Sequence, residues 1–159
     1  GCGTIALWLR TEVQWMPNLA ELDPQDAALV LLNEHDSAWI AALADELERR
    51  LVGRELERIL RVWTLSRTDL GHMLGVSRQA VSKWIEDGVP ADRVTQVADL
   101  ASITDLLVHY VKRDRIPAVV RRSAPNLGGV SLLESIAEAG TADALAATRR
   151  MFTFADAHK

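Results

Sequence analysis

Apolar residues recur along most of this chain at helical spacing, and the breaks in that rhythm divide it. Residues 4–16 are the ambiguous piece: Ile5, Leu7, Leu9, Val13 and Trp15 alternate as in a strand, whereas Leu9, Val13 and Met16 also suit a helix. A strand is the preferred reading there. Asp23 and Pro24 make a cap and first-position pair for a short helix over Ala27–Leu32. After Asp36 and Ser37 a long helical pattern carries Trp39, Ile40, Leu43, Leu47, Leu51, Leu56, Ile59, Leu60 and Trp63, with Gly53 as a candidate interruption. Such a stripe must be covered, either by a core or by a second copy of the helix. Ser66 then opens a short helix through Leu70, Met73 and Leu74 that stops at Gly75. A second follows from Ser77 through Ala80, Val81, Trp84 and Ile85 to Gly88. Pro90 restarts a helix with Val94, Val97, Ala98 and Ala101, and Ser102 is expected to cap another with Ile103, Leu106, Leu107, Tyr110 and Val111. Further on, residues 126–129 (NLGG) form a turn, Ser131 and Glu134 are spaced as a capping box, and a short helix through Ile136 and Ala137 runs to Gly140. Thr141 is expected to cap the last helix. The fold class is therefore mainly α: a helix-turn-helix bundle, a small C-terminal helical domain, and an N-terminal helical extension that includes the short strand.

The pair of helices over residues 66–88 has polar positions that point to chemistry. With Ala80, Val81, Trp84 and Ile85 on one face, Arg78, Gln79, Ser82 and Lys83 are left on the other. Arginine pairs bidentately with guanine and glutamine with adenine, while serine and lysine suit base edges or phosphates. The bland alternative is an αα-hairpin with a solvated polar face. Small Gly71 where the helices would cross, LGVS across the turn, QAVSKW after it and then GVPADR together resemble the Cro/CI-type, or Xre-family, helix-turn-helix. That resemblance implies double-stranded DNA as a partner, with Arg67, Thr68, Ser77, Arg78, Gln79, Ser82 and Lys83 as contacting residues. Arg67 departs from the family, which usually has there a glutamine that contacts a phosphate.

Composition narrows the class. The chain has 159 residues, is 48% hydrophobic and carries a formal charge of −4; with a mean hydropathy of +0.02 it reads as a folded, soluble protein. The longest apolar run, Ala38–Ala44, is too short to cross a bilayer, and a cytoplasmic protein is expected. The acidic total hides a split. Residues 1–53 carry 3 basic and 9 acidic side chains, residues 54–122 carry 12 and 9, and residues 123–159 carry 3 and 4. The locally basic stretch is the one that holds the helix-turn-helix. Its excess is small, so weak binding to random DNA and a homodimer on paired half-sites are expected. Lys112, Arg113, Arg115, Arg121 and Arg122 either complement helix ends or form a phosphate-contacting patch. The lone Cys2 offers neither disulfide nor thiolate cluster, and His35, His72, His109 and His158 are scattered. With no Gly-rich phosphate loop and no nucleophile beside a base, no enzyme, metal or cofactor is expected.

The C-terminal stretch PNLGGVSLLESIAEAGTADAL resembles the toxin-binding domain of Xre/MbcA/ParS-type antitoxins, over about residues 117–154. The resemblance implies a type II antitoxin that neutralises a toxin, often of RES fold and NAD-consuming, and represses its own operon; the NAD chemistry would be the partner's. It places partner contacts at Arg149, Arg150, Met151, Phe152 and Phe154, although the tail FTFADAHK departs from the Ile-Glu-aromatic-Gly pattern of the family. The expected organisation is an N-terminal extension over 1–53 that serves dimerisation, a DNA-binding domain over 54–116 and a partner-binding domain over 117–159. The alternative is a free-standing phage or chromosomal repressor whose C-terminal part oligomerises or reads DNA a second time.

Overall fold

An aspartate followed by a proline sets the first helix. In the computed structural model, which describes residues 18–158, Asp23 Oδ1 accepts from the amides of Gln25 and Asp26 at 2.9 and 3.0 Å, and helix α1 runs over Pro24–Glu34. These bonds satisfy amides that have no partner inside the helix and hold the Asp23 carboxyl below the usual carboxylate range. Asp36 Oδ1 does the same for the Trp39 amide at 2.8 Å near the start of α2, Ser37–Trp63. The strand expected within 4–16 lies outside the described residues. The remaining helices are α3 (Arg67–Leu74), α4 (Arg78–Asp87), α5 (Val94–Tyr110), α6 (Ile116–Arg121), α7 (Leu132–Ala139) and α8 (Thr141–Ala157). Among the described residues there are eight α-helices and no strand, as the mainly α expectation requires.

The described backbone divides between Ala44 and Asp45 into two units. None of residues 18–52 is buried. The apolar stripe of α2 is thus fully covered only from Gly53 onward, where Leu56, Ile59, Val62 and Trp63 enter a core shared with α3, α4, α5, α6, α7 and α8. Residues on both sides of position 117, among them Ile116, Val120, Leu132, Ile136 and Leu145, belong to that same cluster.

Three expectations of local structure are corrected. Gly53 does not interrupt α2, which is continuous through it. A Cβ at this position would lie 2.5 Å from the carbonyl oxygen of Trp84, so glycine here provides space for α4 to approach, not a break. Residues 94–110 form one helix instead of two. Ser102 lies inside it because neither proline nor glycine interrupts the ladder, and Val97, Leu100, Ile103, Thr104 and Leu107 make one continuous buried stripe. Thr141 does not cap α8: it is already helical, Gly140 precedes it as N-cap without a side-chain bond, and its hydroxyl donates to Asp99 Oδ2 of α5 at 3.0 Å.

Among the described residues the buried polar side chains are satisfied. Trp63 Nε1 donates to Thr104 Oγ1 at 3.0 Å, and that hydroxyl donates to the Leu100 carbonyl at 2.7 Å. Arg121 closes the C-terminus of α2 by donating to the carbonyls of Trp63 and Thr64 at 2.9 and 2.6 Å, groups that a helix end leaves without partners.

Candidate functional site

A serine and an aspartate three residues apart start α3. Ser66 Oγ accepts from the Asp69 amide at 3.0 Å, and Asp69 Oδ2 accepts from the Ser66 hydroxyl and amide at 2.7 and 2.9 Å. This capping box, with the hydroxyl bond as the larger cause, holds the Asp69 carboxyl below the usual carboxylate range. α3 ends at Gly75, whose φ of 66° and ψ of 35° are left-handed. The chain then folds over Gly71, where a Cβ would lie 2.6 Å from the Val76 carbonyl oxygen. Glycine at position 71 therefore sets how tightly the turn closes, and Ser77 Oγ accepts from the Ala80 amide at 3.1 Å to open α4.

Helix α4 is seated from behind. Val81 and Trp84 are buried in the core, Ala80 and Ile85 pack against it, and Gly53 brings the α2 backbone up to Trp84. Beyond the helix end, Arg49 and Val89 exchange hydrogen bonds: Arg49 Nε donates to the Val89 carbonyl at 2.8 Å, and the Val89 amide donates to the Arg49 carbonyl at 3.1 Å. With its apolar face fixed, the helix leaves Arg78, Gln79 and Lys83 exposed and Ser82 half-buried. These four line an open hollow of about 340 Å³ together with Glu86. Sequence reasoning missed Glu86, although its place three residues after Lys83 and four after Ser82 puts it on the same face. A carboxylate there can accept from the amino group of cytosine.

The other expected contacts do not line that hollow. Arg67 Nη1 donates to Ser82 Oγ at 2.8 Å, joining the first residue of α3 to the middle of α4. Thr68 and Ser77 are exposed, the latter occupied as the α4 cap. Of the basic cluster after α5, Arg121 serves the end of α2, while Lys112, Arg113, Arg115 and Arg122 are exposed.

The C-terminal helices repeat the capping pattern. Ser131 and Glu134 form the expected box, with bonds of 2.7 and 3.2 Å, and the Ser131 amide, more than its hydroxyl, lowers the Glu134 pKa. Before it, Gly128 and Gly129 take φ values of 75° and 84°, which suit the glycine pair of the NLGG turn. The five expected partner residues of α8 separate into different environments. Met151 and Phe152 line an apolar groove of about 320 Å³ with Leu107, Val119, Leu127 and Leu132. The Phe152 ring stacks on Tyr110 at 4.4 Å, and the Tyr110 hydroxyl donates to Asp156 Oδ2 at 2.5 Å. Arg149 borders a second hollow with Ser102, Asp105, His109 and Tyr110. Arg150 is exposed, and Phe154 is 68% exposed.

Among the described residues no group of three His, Cys, Asp or Glu is placed to hold a metal ion, and no helix is long and apolar enough to cross a membrane. No family model matches the chain, and no curated protein matches it. Among solved structures, the chain is similar to one from the M. tuberculosis MbcT–MbcA toxin–antitoxin complex, at a TM-score of 0.51 and 17% identity over 62% of this chain and 91% of that one. At that identity the likeness is one of fold, and it extends over nearly the whole of the other chain.

Proposed function

We propose that this protein is a sequence-specific, double-stranded DNA-binding repressor that acts as a type II antitoxin, neutralising a toxin and regulating its own operon. The observation that carries the DNA half is the seating of α4: Val81 and Trp84 fix its back, and Arg78, Gln79, Ser82, Lys83 and Glu86 share its open face. Direct readout needs a rigid helix whose donors and acceptors project together into the major groove. Arg78 and Gln79, near the N-terminus of α4, are the base-reading pair; Lys83 neutralises phosphate, and Thr68 and Ser77 offer further contacts at the starts of α3 and α4. A homodimer supplies the second reading helix with which a weakly basic domain occupies paired half-sites. The toxin half is supported by the fold shared with a chain of a toxin–antitoxin complex and by the exposed Arg149, Arg150 and Phe154 beside the Met151–Phe152 groove. A RES-type toxin is the proposed partner, and both activities belong in the cytoplasm.

A footprint of the full chain on the DNA upstream of its own gene tests the DNA half, and co-expression with the protein encoded beside it tests the toxin half. The expected result is two protected half-sites about 10 base pairs apart, and relief by this chain of the growth arrest that the neighbouring protein causes when expressed alone. Protection without relief or co-purification would leave a free-standing repressor. No protection would sink the DNA reading.

A further inference from the structure

A hydroxyl inside a helix commonly gives its proton to the carbonyl four residues back. Thr104, Thr148 and Thr153 do so here, at 2.7, 2.8 and 2.8 Å. Ser82, in the middle of α4, has a different bond: its Oγ accepts from Arg67 Nη1 at 2.8 Å, across 15 residues. Among the hydrogen bonds of the described residues, Ser82 Oγ donates none. A guanidinium has five N–H donors and no acceptor, and it stays charged. The pairing is therefore one-directional: it occupies a lone pair of the Ser82 oxygen and leaves the O–H proton to be given elsewhere. The hollow that Ser82 lines with Arg78, Gln79, Lys83 and Glu86 lies on the face proposed to meet DNA.

We infer that Arg67 is a positioning residue for base reading: it takes one of the two lone pairs of Ser82 Oγ and sets a fixed positive charge behind that oxygen, so that the O–H is favoured toward a base edge that presents an acceptor. Guanine N7 or O6, adenine N7 and thymine O4 accept that proton; the amino group of cytosine would have to donate to the remaining lone pair, on an oxygen already polarised by the guanidinium. An unpartnered serine serves equally as donor or acceptor and discriminates poorly, so the specificity at this position comes from a residue on the other helix. The inference rests on the reading of α4 as the base-contacting helix. It also gives Arg67 two simultaneous uses, since the N–H groups not facing Ser82 remain available for a phosphate.

The test uses the full chain and a duplex that it selects from a random-sequence pool. Dissociation constants are measured for that duplex and for versions with each base pair replaced in turn. In the wild type, placing cytosine opposite Ser82 is expected to weaken binding roughly 3- to 10-fold, the range of one hydrogen bond. Ser82→Ala and Arg67→Met should each reduce that ratio to within about 2-fold at the same position, and the double variant should reduce it no further. Because the readout is a ratio for one preparation, any loss of folded fraction cancels. If Arg67→Met weakens all duplexes by one factor and leaves the ratio intact, Arg67 is a phosphate ligand only and the inference is overturned. If the pool yields no enriched sequence, the reading of α4 falls and takes this inference with it. Enrichment without coupling between positions 67 and 82 removes the inference alone.

Discussion

Arg78, Gln79 and Lys83 share one face of α4, and the proposed DNA contact would make different demands on each. Replacing Gln79 or Arg78 by alanine should cost about 1–3 kcal/mol on the operator and relax preference at one base position, read as a binding profile across base-substituted duplexes. An equal loss on every duplex would assign the residue to a phosphate. Lys83→Ala should weaken binding on all sequences and reduce the salt slope by about one ion; an unchanged slope would exclude a phosphate contact. These side chains were legible in the sequence because a helical face follows from spacing alone, and the two capping boxes, Ser66–Asp69 and Ser131–Glu134, are equally local. The bond from Arg67 to Ser82 and the bonds from Arg121 to residues 63 and 64 were not legible. Nothing in a local pattern fixes which distant group a long guanidinium will reach.

For the elements, the misleading signals were small residues and hydroxyls. A glycine within a helical pattern marks either a break or a close approach, and only the packing of α4 on α2 shows that Gly53 is the second kind. Alanine is intrinsically the better helix former by about 1 kcal/mol. Gly53→Ala should nevertheless lower the melting temperature, because its Cβ would meet the Trp84 carbonyl at 2.5 Å and the α4 backbone would have to shift, a change of about 1–3 kcal/mol. A variant that melts above the wild type would mean that α4 yields freely. Trp84, 7% exposed, should cost about 3–5 kcal/mol on truncation to alanine, with DNA binding lost in parallel. The capping boxes add a pH signature. Asp69 and Glu134 have pKa values lowered by their bonds to Ser66 and Ser131. Their stabilisation is therefore complete above the ordinary carboxylate range, near pH 4–5, and is lost as the pH falls through the lowered values. Acid melting curves of Asp69→Asn with Glu134→Gln should show a shallower fall than the wild type; identical slopes would mean that these carboxylates do not change pKa on folding.

Across the whole molecule, the helices expected to read DNA and those expected to bind a partner share one core. Removing residues 117–159 would uncover the surface of α5 and α3 as well as delete α8, so a truncated chain should melt well below the full one and lose DNA binding through instability. Single substitutions separate the two activities more cleanly. Phe154→Ala, at a ring 68% exposed, should leave the melting temperature unchanged while weakening toxin neutralisation. Phe152→Ala should lower the melting temperature by removing the stack on Tyr110. A full-strength neutraliser with Phe154→Ala would place the toxin elsewhere. The clamp of Arg121 on the end of α2 spans 58 residues to Trp63 and 57 to Thr64. A chain emerging from the ribosome releases α2, α3 and α4 first, and the terminus of α2 then waits for an arginine that has not yet been translated. The end of α2 is capped only after translation has passed residue 121, so on the proposed function the onset of DNA binding in a growing chain would follow the synthesis of its C-terminal half.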